Sequence, residues 1–435
     1  MIEFLELQNV GPAPRMELRF APRVNLITGD NGLGKSFLLD AAWWALTRRW
    51  PQEVNPRMTS GMPARPRDPK KKATIAFQVT GKKTTVAYQA TYTARDEAWT
   101  GRAGRPWNPG LVVYAHSDGA FSVWDPARNY WKKKGNIDIQ ERLPAYVFTE
   151  PEVWNGLRAD VDGRSMPVCN GLLYDWSSWI KAKDDNAQAM EESLRALSSP
   201  HEPAGVLTPG PLKRLSVNDA RDIPTLATTY AGDVPILHAS SGVRRVAALA
   251  YMLIWSWNEH RLASEQLGEE PTRQVIMLFD EVESHLHPRW QRVILKALRD
   301  LVGVLHTQAE AQLIVASHSP LVLASAEPWF DPEQDAWFDL DLEGQPPEVQ
   351  LRRRPYTLHG TAGHWLTSEA FDLATDRGSV EAERAILRAR ELTRRPEVTL
   401  REVMDAHKDL RAVLPDVDAF WVRWNAFVEA HGGTP

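Results

Sequence analysis

Residues 29–36 read GDNGLGKS, between the apolar run VNLIT (24–28) and the apolar-periodic segment SFLLDAAWWALTRRW. This order of strand, glycine-rich loop and helix constrains the fold more than any other feature of the chain. It aims consecutive backbone N–H groups and a helix N-terminus at one point, where a phosphate-type anion is favoured. Gly29, Gly32 and Gly34 let the backbone curl, and Asp30, Asn31 and Leu33 complete the loop. Lys35 supplies a point charge for β- and γ-phosphates, and the Ser36 hydroxyl is placed to ligate Mg²⁺.

Three further segments carry chemistry. VIMLFDEVESHLHPRWQ (275–291) is an apolar strand ending in two acids. Asp280 at its tip can hold Mg²⁺ through water, and Glu281 can take a proton from an attacking water. Glu283, His285 and His287 follow at two-residue spacing, which also permits a metal set with Asp280. In HASSGVRRVAALAYML (238–253), Ser240, Ser241 and Gly242 open an apolar helix whose amides, hydroxyls and positive dipole end suit an anion. In QLIVASHSPLVLAS (312–325), a strand is followed by Ser317, His318, Ser319 and Pro320, and a histidine there can donate to a γ-phosphate and sense its loss.

Periodicity orders the rest. Residues 2–8 alternate as a strand. ATIAFQV, TTVAYQATYTA and GLVVYAHSDGAFSVWD look like antiparallel strands, with Asp118-Gly119 at a tight turn, and predict an inserted β subdomain over 58–145. Helical patterns predict a helical subdomain over 146–235, interrupted by the Pro/Gly-rich connection 198–212. Helix and strand then alternate over 236–345, as in parallel α/β units, so one sheet is expected to draw on both ends of the chain, 1–57 and 236–345. The stretch 346–435 is expected to be a helical C-terminal region for assembly or partner binding. Its last helix bears the stripe Val417, Phe420, Trp421, Trp424, Phe427 and Val428, covered either by the helices at 380–412 or by a partner.

Composition excludes several classes. With 51 Lys and Arg against 56 Asp and Glu, the net charge of −5 gives no overall attraction to nucleic acid or anionic lipid. A single cysteine, Cys169, rules out an internal disulfide and a cysteine-ligated zinc cluster. No run reaches the roughly 18 apolar residues of a membrane span, and the start MIEFLELQNVG lacks a secretory pattern, so a cytoplasmic location and no membrane partner are expected.

GDNGLGKS, ASSGVRR, VIMLFDEVESHLHPRWQ and VASHSP, in this order, resemble the Walker A, signature, Walker B and switch-histidine motifs of ABC ATPases of the RecF, SMC and OLD-like group. The form DExExHLHP followed by SHSP looks most like the stand-alone ATPases of bacterial anti-phage systems, the Septu, PARIS and retron-associated proteins. The resemblance is close over 1–50 and 235–325. It implies an ABC-type nucleotide-binding domain, ATP and Mg²⁺ as cofactors, Glu281 and His318 as catalytic residues, and Ser240, Ser241 and Gly242 on the partner's nucleotide. It implies a homodimer or higher even-numbered homo-oligomer, and a loop after Glu281 that passes along the dimer interface. Two departures stand out. Ser241 and Val243 replace the glycine and glutamine usual in transporters, and no clear Q-loop glutamine exists: Gln78 lies on a strand, and Glu150 or Glu152 occupies the expected place.

The resemblance implies a separate effector, expected to be a nuclease, because this chain has no room for a TOPRIM domain around Asp339 and Asp341. Those two read as a solvated strand face. The alternative is a RecF/SMC-like DNA-binding ATPase in repair or recombination, in which Arg65, Arg67, Lys70, Lys71, Lys72 and Arg352–Arg354 would meet phosphates.

Overall fold

The apolar runs of the sequence become neighbouring strands, because a strand without polar alternation must be covered on both faces. The structure, a computed structural model, describes residues 1–81, 85–101, 108–129, 142–161, 163–198, 206–229, 231–305 and 309–434. Two compact units divide it, Met1–Leu358 and His359–Pro435.

In the first unit, strands β1 (Ile2–Gln8), β2 (Arg15–Arg19) and β3 (Val24–Gly29) precede α1 (Lys35–Thr47) and α2 (Pro51–Val54). Then come β4 (Thr74–Thr80), β5 (Thr85–Thr93), β6 (Ala98–Gly101), β7 (Leu111–Ala115), β8 (Phe121–Trp124), α3 (Pro126–Asn129) and β9 (Tyr146–Phe148). The middle holds α4 (Glu150–Asn155), the hairpin β10 (Leu157–Val161) and β11 (Arg164–Cys169), α5 (Leu172–Ala182), α6 (Asp185–Ala196) and strands β12 (Thr208–Lys213), β13 (Ile223–Thr228) and β14 (Gly232–Pro235). The unit continues through α7 (Ser241–Leu267), β15 (Gln274–Phe279), α8 (Pro288–Leu305), β16 (Glu310–Ala316), α9 (Pro320–Ala326), β17 (Asp335–Glu343) and β18 (Glu348–Arg354).

Among the described residues, the central eight-stranded sheet has the order β18-β17-β3-β16-β15-β7-β8-β9. Strands β17, β3, β16, β15 and β7 are mutually parallel. The strand leading into the glycine loop thus lies between two strands from far downstream, and the mixed α/β sheet is built from both ends of the chain. Helix α1 contacts this sheet and also β1 and β4 of a second, five-stranded sheet, β2-β1-β4-β5-β6. One core joins Leu38, Trp43 and Leu46 of α1 to Ile27, Ile276 and Ile314 on one side and Leu5, Ile75 and Phe77 on the other. Each such side chain contributes about 1.5–3 kcal/mol through burial. Buried polar side chains tie distant segments together. The Gln312 amide accepts from Ile2 N–H at 3.0 Å and donates to the Ile2 carbonyl at 2.8 Å. Arg23 forks onto the fully buried Asp335 at 2.8 and 2.5 Å, fixing β3 against β17.

Several expected boundaries differ from the structure. The strands of 58–145 do not form one inserted subdomain: β4–β6 complete the sheet begun by β1 and β2, while β7 and β8 join the central sheet. The hairpin of β7 and β8 across Asp118-Gly119 does form, but LVVYA is buried at every position because its other edge pairs with parallel β15. The stretch 146–235 mixes helices with the hairpin β10–β11 and the sheet β12–β13–β14, and residues 199–205 of its expected connection lie outside the described residues. Arg352–Arg354 belong to β18, which pairs with β17, so the central sheet extends past 346. Asp339 is not solvated. It is 2% exposed and accepts from Thr28 Oγ1 at 2.9 Å, because parallel pairing of β17 with β3 turns it inward.

The second unit carries α10 (Ala362–Leu366), α11 (Val380–Arg394), α12 (Leu400–Val413) and α13 (Phe420–Ala430). Ser379 and Thr399 cap α11 and α12 through their side-chain oxygens. Ile386, Ala389, Val403, Leu410, Trp421, Trp424 and Val428 form its core, with Phe420 and Phe427 packed against it. The aromatic stripe of the last helix is therefore covered by the chain's own helices, whereas Val417 is 93% exposed.

Candidate functional site

The C-terminal ends of β3, β15, β16 and β7 lie side by side, the place where parallel sheets present loops to ligands. After β3, the glycine loop turns at Gly29 (φ +132°), Gly32 (φ +81°) and Gly34 (φ +101°), a left-handed course closed to most side chains. The loop also runs close to its supports. A Cβ at Gly29 would lie 2.3 Å from the Leu340 carbonyl oxygen, and one at Gly34 would lie 2.6 Å from Pro12 Cγ. Gly34 caps α1, so the free amides of its first turn open onto the loop.

Lys35 Nζ donates to the Gly29 and Asp30 carbonyls at 2.6 and 2.8 Å. Burial lowers its pKa, opposed by the charges of Asp280, Asp30, Glu281 and Glu283. Asp280, at the tip of β15, is raised by burial and by Glu281, and held down by the hydroxyls of Ser36 and Ser117. Its Oδ1 is buried with no hydrogen-bond partner among the described residues. Two hydroxyls around a carboxylate with one orphaned oxygen form an all-oxygen donor set that fits Mg²⁺. Ser36 and Asp280 would hold the ion, with Ser117 beside them.

Glu281 takes a left-handed backbone (φ +49°), unusual outside glycine, which re-aims the chain directly after Asp280. His318, after β16, is lowered by burial and by Lys35, with Glu281 and Asp30 opposing, so its imidazole is neutral at pH 7. The structure therefore brings Lys35, Asp280, Glu281 and His318 into one electrostatic cluster.

In the sequence Glu283 reads as a third acid that permits a metal set with Asp280, His285 and His287, and the fold gives it a different place. Its carboxylate accepts from Ser317 Oγ at 2.8 Å and from the His318 N–H at 2.5 Å, so it clamps the loop after β16. Gln291 makes a second stitch, accepting from Ser319 Oγ at 2.7 Å and donating to the Leu286 carbonyl at 2.9 Å. Both oxygens of Glu283 are occupied, and no three His, Cys, Asp or Glu side chains among the described residues form a metal cluster. Asp40, half-buried in α1, accepts from Tyr114 Oη at 3.0 Å, and desolvation pushes its pKa up to about 7. These partners lie 35 and 74 residues apart, and no local pattern connects them.

The Ser240–Gly242 turn stands apart from this cluster. Ser240 caps the 27-residue α7 by accepting from Val243 N–H at 3.4 Å, and both serines are exposed. Gly242 presses on the loop after Glu281, where a Cβ would lie 2.6 Å from the His285 carbonyl oxygen. Ser241 and His285 line a cavity of about 220 Å³ with Glu150 and Arg245. Of the two glutamates in the Q-loop position, Glu152 is committed to structure: it accepts from Thr149 N–H and Oγ1 and from Asn55, each at 2.8 Å. Glu150 is exposed and packs beside Gly119.

The fold and the loop geometry define a nucleotide-binding α/β protein with a phosphate-binding loop. The chain belongs to the family described as "AAA domain, putative AbiEii toxin, Type IV TA system", whose family model matches residues 24–324. No curated protein matches the sequence. Among solved structures, an SMC head bound to the C-winged helix domain of ScpA is 13% identical and covers 81% of this chain and 97% of its own, with a TM-score of 0.41. The SMC head domain from Thermotoga maritima is 12% identical over 81% of this chain and 99% of its own, with a TM-score of 0.39. RecF with ATPrS, from the RecFOR pathway, is 13% identical over 78% and 96%, with a TM-score of 0.35. Among the described residues, no helix is long and apolar enough to cross a membrane.

Proposed function

We propose that this chain hydrolyses ATP as one half of a head-to-tail homodimer, and that the cycle controls a separate effector, a nuclease, in bacterial anti-phage defence. The convergence of Lys35, Asp280, Glu281 and His318 at the ends of three adjacent parallel strands carries the hydrolase reading. In this reading, Lys35 leaves the Gly29 and Asp30 carbonyls for the β- and γ-phosphates, which also meet the loop amides. Mg²⁺, when bound, neutralises phosphate charge. Glu281 accepts the proton of the attacking water, and neutral His318 donates a hydrogen bond to the γ-phosphate.

The dimer reading rests on Ser240 and Ser241, exposed at the N-terminus of a long helix, where a facing copy can present its nucleotide. The family description, naming a toxin–antitoxin system, supports a chain that governs toxicity. A nucleic-acid clamp is less favoured: Arg65 is paired with Glu97 at 2.8 Å and Lys71 with Asp68 at 3.7 Å, so part of the basic run is already compensated.

Glu281→Gln tests the reading, because it removes the proton acceptor and leaves the binding groups. Turnover should vanish while an ATP-dependent dimer accumulates in light scattering. Unchanged hydrolysis dismisses Glu281 as the base, and a variant that stays monomeric with ATP bound dismisses the dimer. Purification with the neighbouring gene product tests the effector; absence of any complex in every nucleotide state overturns that part.

A further inference from the structure

The lobe between β9 and α7 contains a cavity of about 630 Å³ that the nucleotide site does not use, of the size that encloses a small organic ligand. Its lining is chemically divided. Arg158 of β10, Lys181 of α5 and Arg221 of the 219–222 loop supply three cations against one carboxylate, Asp222. Lys181 is bound to Asp222 at 2.6 Å and Arg221 to Asp219 at 2.8 Å. Arg158 makes no ion pair among the described residues; it donates to Ser165 Oγ at 3.1 Å and to the Ser165 carbonyl at 3.0 Å. The lining also holds two aromatic rings, Trp154, which is 7% exposed, and Tyr174, which is 62% exposed, an unusual degree for so large a ring. The amides of Asn155 and Asn170 also line it.

Guanidinium and ammonium groups match phosphate, aromatic faces match a flat ring, and side-chain amides match the polar edge of a base. We propose that this cavity is a second ligand site, specific for a small nucleotide, and that its occupancy acts on the signature helix.

The link to α7 is a chain of hydrogen bonds that starts at the cavity lining. Asn170 donates to Asp175 Oδ1 at 2.9 Å, and Tyr251 of α7 donates to Asp175 Oδ2 at 2.8 Å. Cys169, also in the lining, lies 3.0 Å from the Tyr251 hydroxyl. Trp154 is shared: it lines both this cavity and the 220 Å³ cavity beside Ser241 and Arg245. A ligand that displaces Trp154 or draws the Asn170 amide from Asp175 bears on the helix that opens at Ser241. The coupling to ATPase rests on the hydrolase reading, whereas the binding does not.

The test is calorimetric titration of the full chain carrying Lys35→Ala, which weakens the phosphate loop, with AMP, GMP and inorganic phosphate as separate probes. One nucleoside monophosphate should bind, phosphate alone should bind at least about tenfold more weakly, and Arg158→Glu or Tyr174→Ala should each cost about tenfold or more. Both substituted side chains are exposed, so the fold is kept, and unchanged circular dichroism confirms it. No binding of either nucleotide at ~1 mM, or binding indifferent to both substitutions, overturns the site. Equal affinity for inorganic phosphate overturns its specificity for a nucleotide. In the otherwise native chain, the nucleotide that binds should change ATP turnover severalfold, and turnover unmoved at saturation overturns the coupling.

Discussion

Glu283 receives the backbone N–H of His318 at 2.5 Å, and with it the hydroxyl of Ser317, so the loop after β15 holds the loop after β16. Glu283 should therefore act on hydrolysis through His318. Glu283→Ala is expected to lower kcat about tenfold to a hundredfold with little change in nucleotide affinity, comparable to losing one positioned hydrogen bond at a reacting group. Combining it with His318→Ala should add little to the loss from His318→Ala alone, whereas independent residues would give multiplied effects. Additive losses would refute the link, and an inert His318→Ala would instead remove His318 from the site.

Ser241 and Lys35 belong to different sites of one chain in the proposed dimer. Mixing Ser241→Arg protein with Lys35→Ala protein should restore part of the activity that each lacks, since one composite site of the mixed dimer carries neither defect. Activity is to be followed across mixing ratios with heterodimers verified by tagged pull-down. No recovery in verified heterodimers would count against the head-to-tail arrangement.

Asp40 should make stability depend on pH. Its folded pKa of about 7 lies above the ordinary 3.8, so between those values the folded chain holds a proton that the unfolded chain has lost. Stability then falls as pH rises through this window, with a slope of up to about 1.4 kcal/mol per pH unit from this group. Asp40→Asn keeps an acceptor for Tyr114 and removes the titration. Denaturant melts at pH 5 and pH 7 should show a smaller difference for the variant, and identical differences would place the Asp40 pKa near its ordinary value.

Trp424 is 1% exposed in the core that residues of α11, α12 and α13 form in the second unit. Trp424→Ala should cost about 3–5 kcal/mol there, enough to unfold a small helical unit. Limited proteolysis should then remove the region after residue 358 while nucleotide binding by the first unit persists. A protease-resistant C-terminal unit in the variant would show that the aromatic stripe is not needed for its core.

Local chemistry was readable directly. The glycine loop, its strand and its helix are contiguous, so GDNGLGKS announces its own geometry, and a tip carboxylate at Asp280 follows from an apolar strand that stops at two acids. Equally, the three apolar runs at 24–29, 274–279 and 310–316 had to be buried strands. Pairing was another matter. LVVYA pairs with its sequence neighbour β8 in the expected hairpin, and only competition among buried strands placed its other edge beside β15. Asp339 was misread because D-x-D alternation on a strand looks the same whether its face meets water or, as here, the buried Thr28 hydroxyl of a strand 311 residues away. Sequence by itself determined the residues of the phosphate loop and the strand tips, since short-range backbone geometry dictates them. The tertiary structure alone decided that Glu283 would clamp His318, that Asp40 would be half-buried against Tyr114, and that Trp154 would line two cavities, because each depends on which distant segments meet and on the water their meeting excludes.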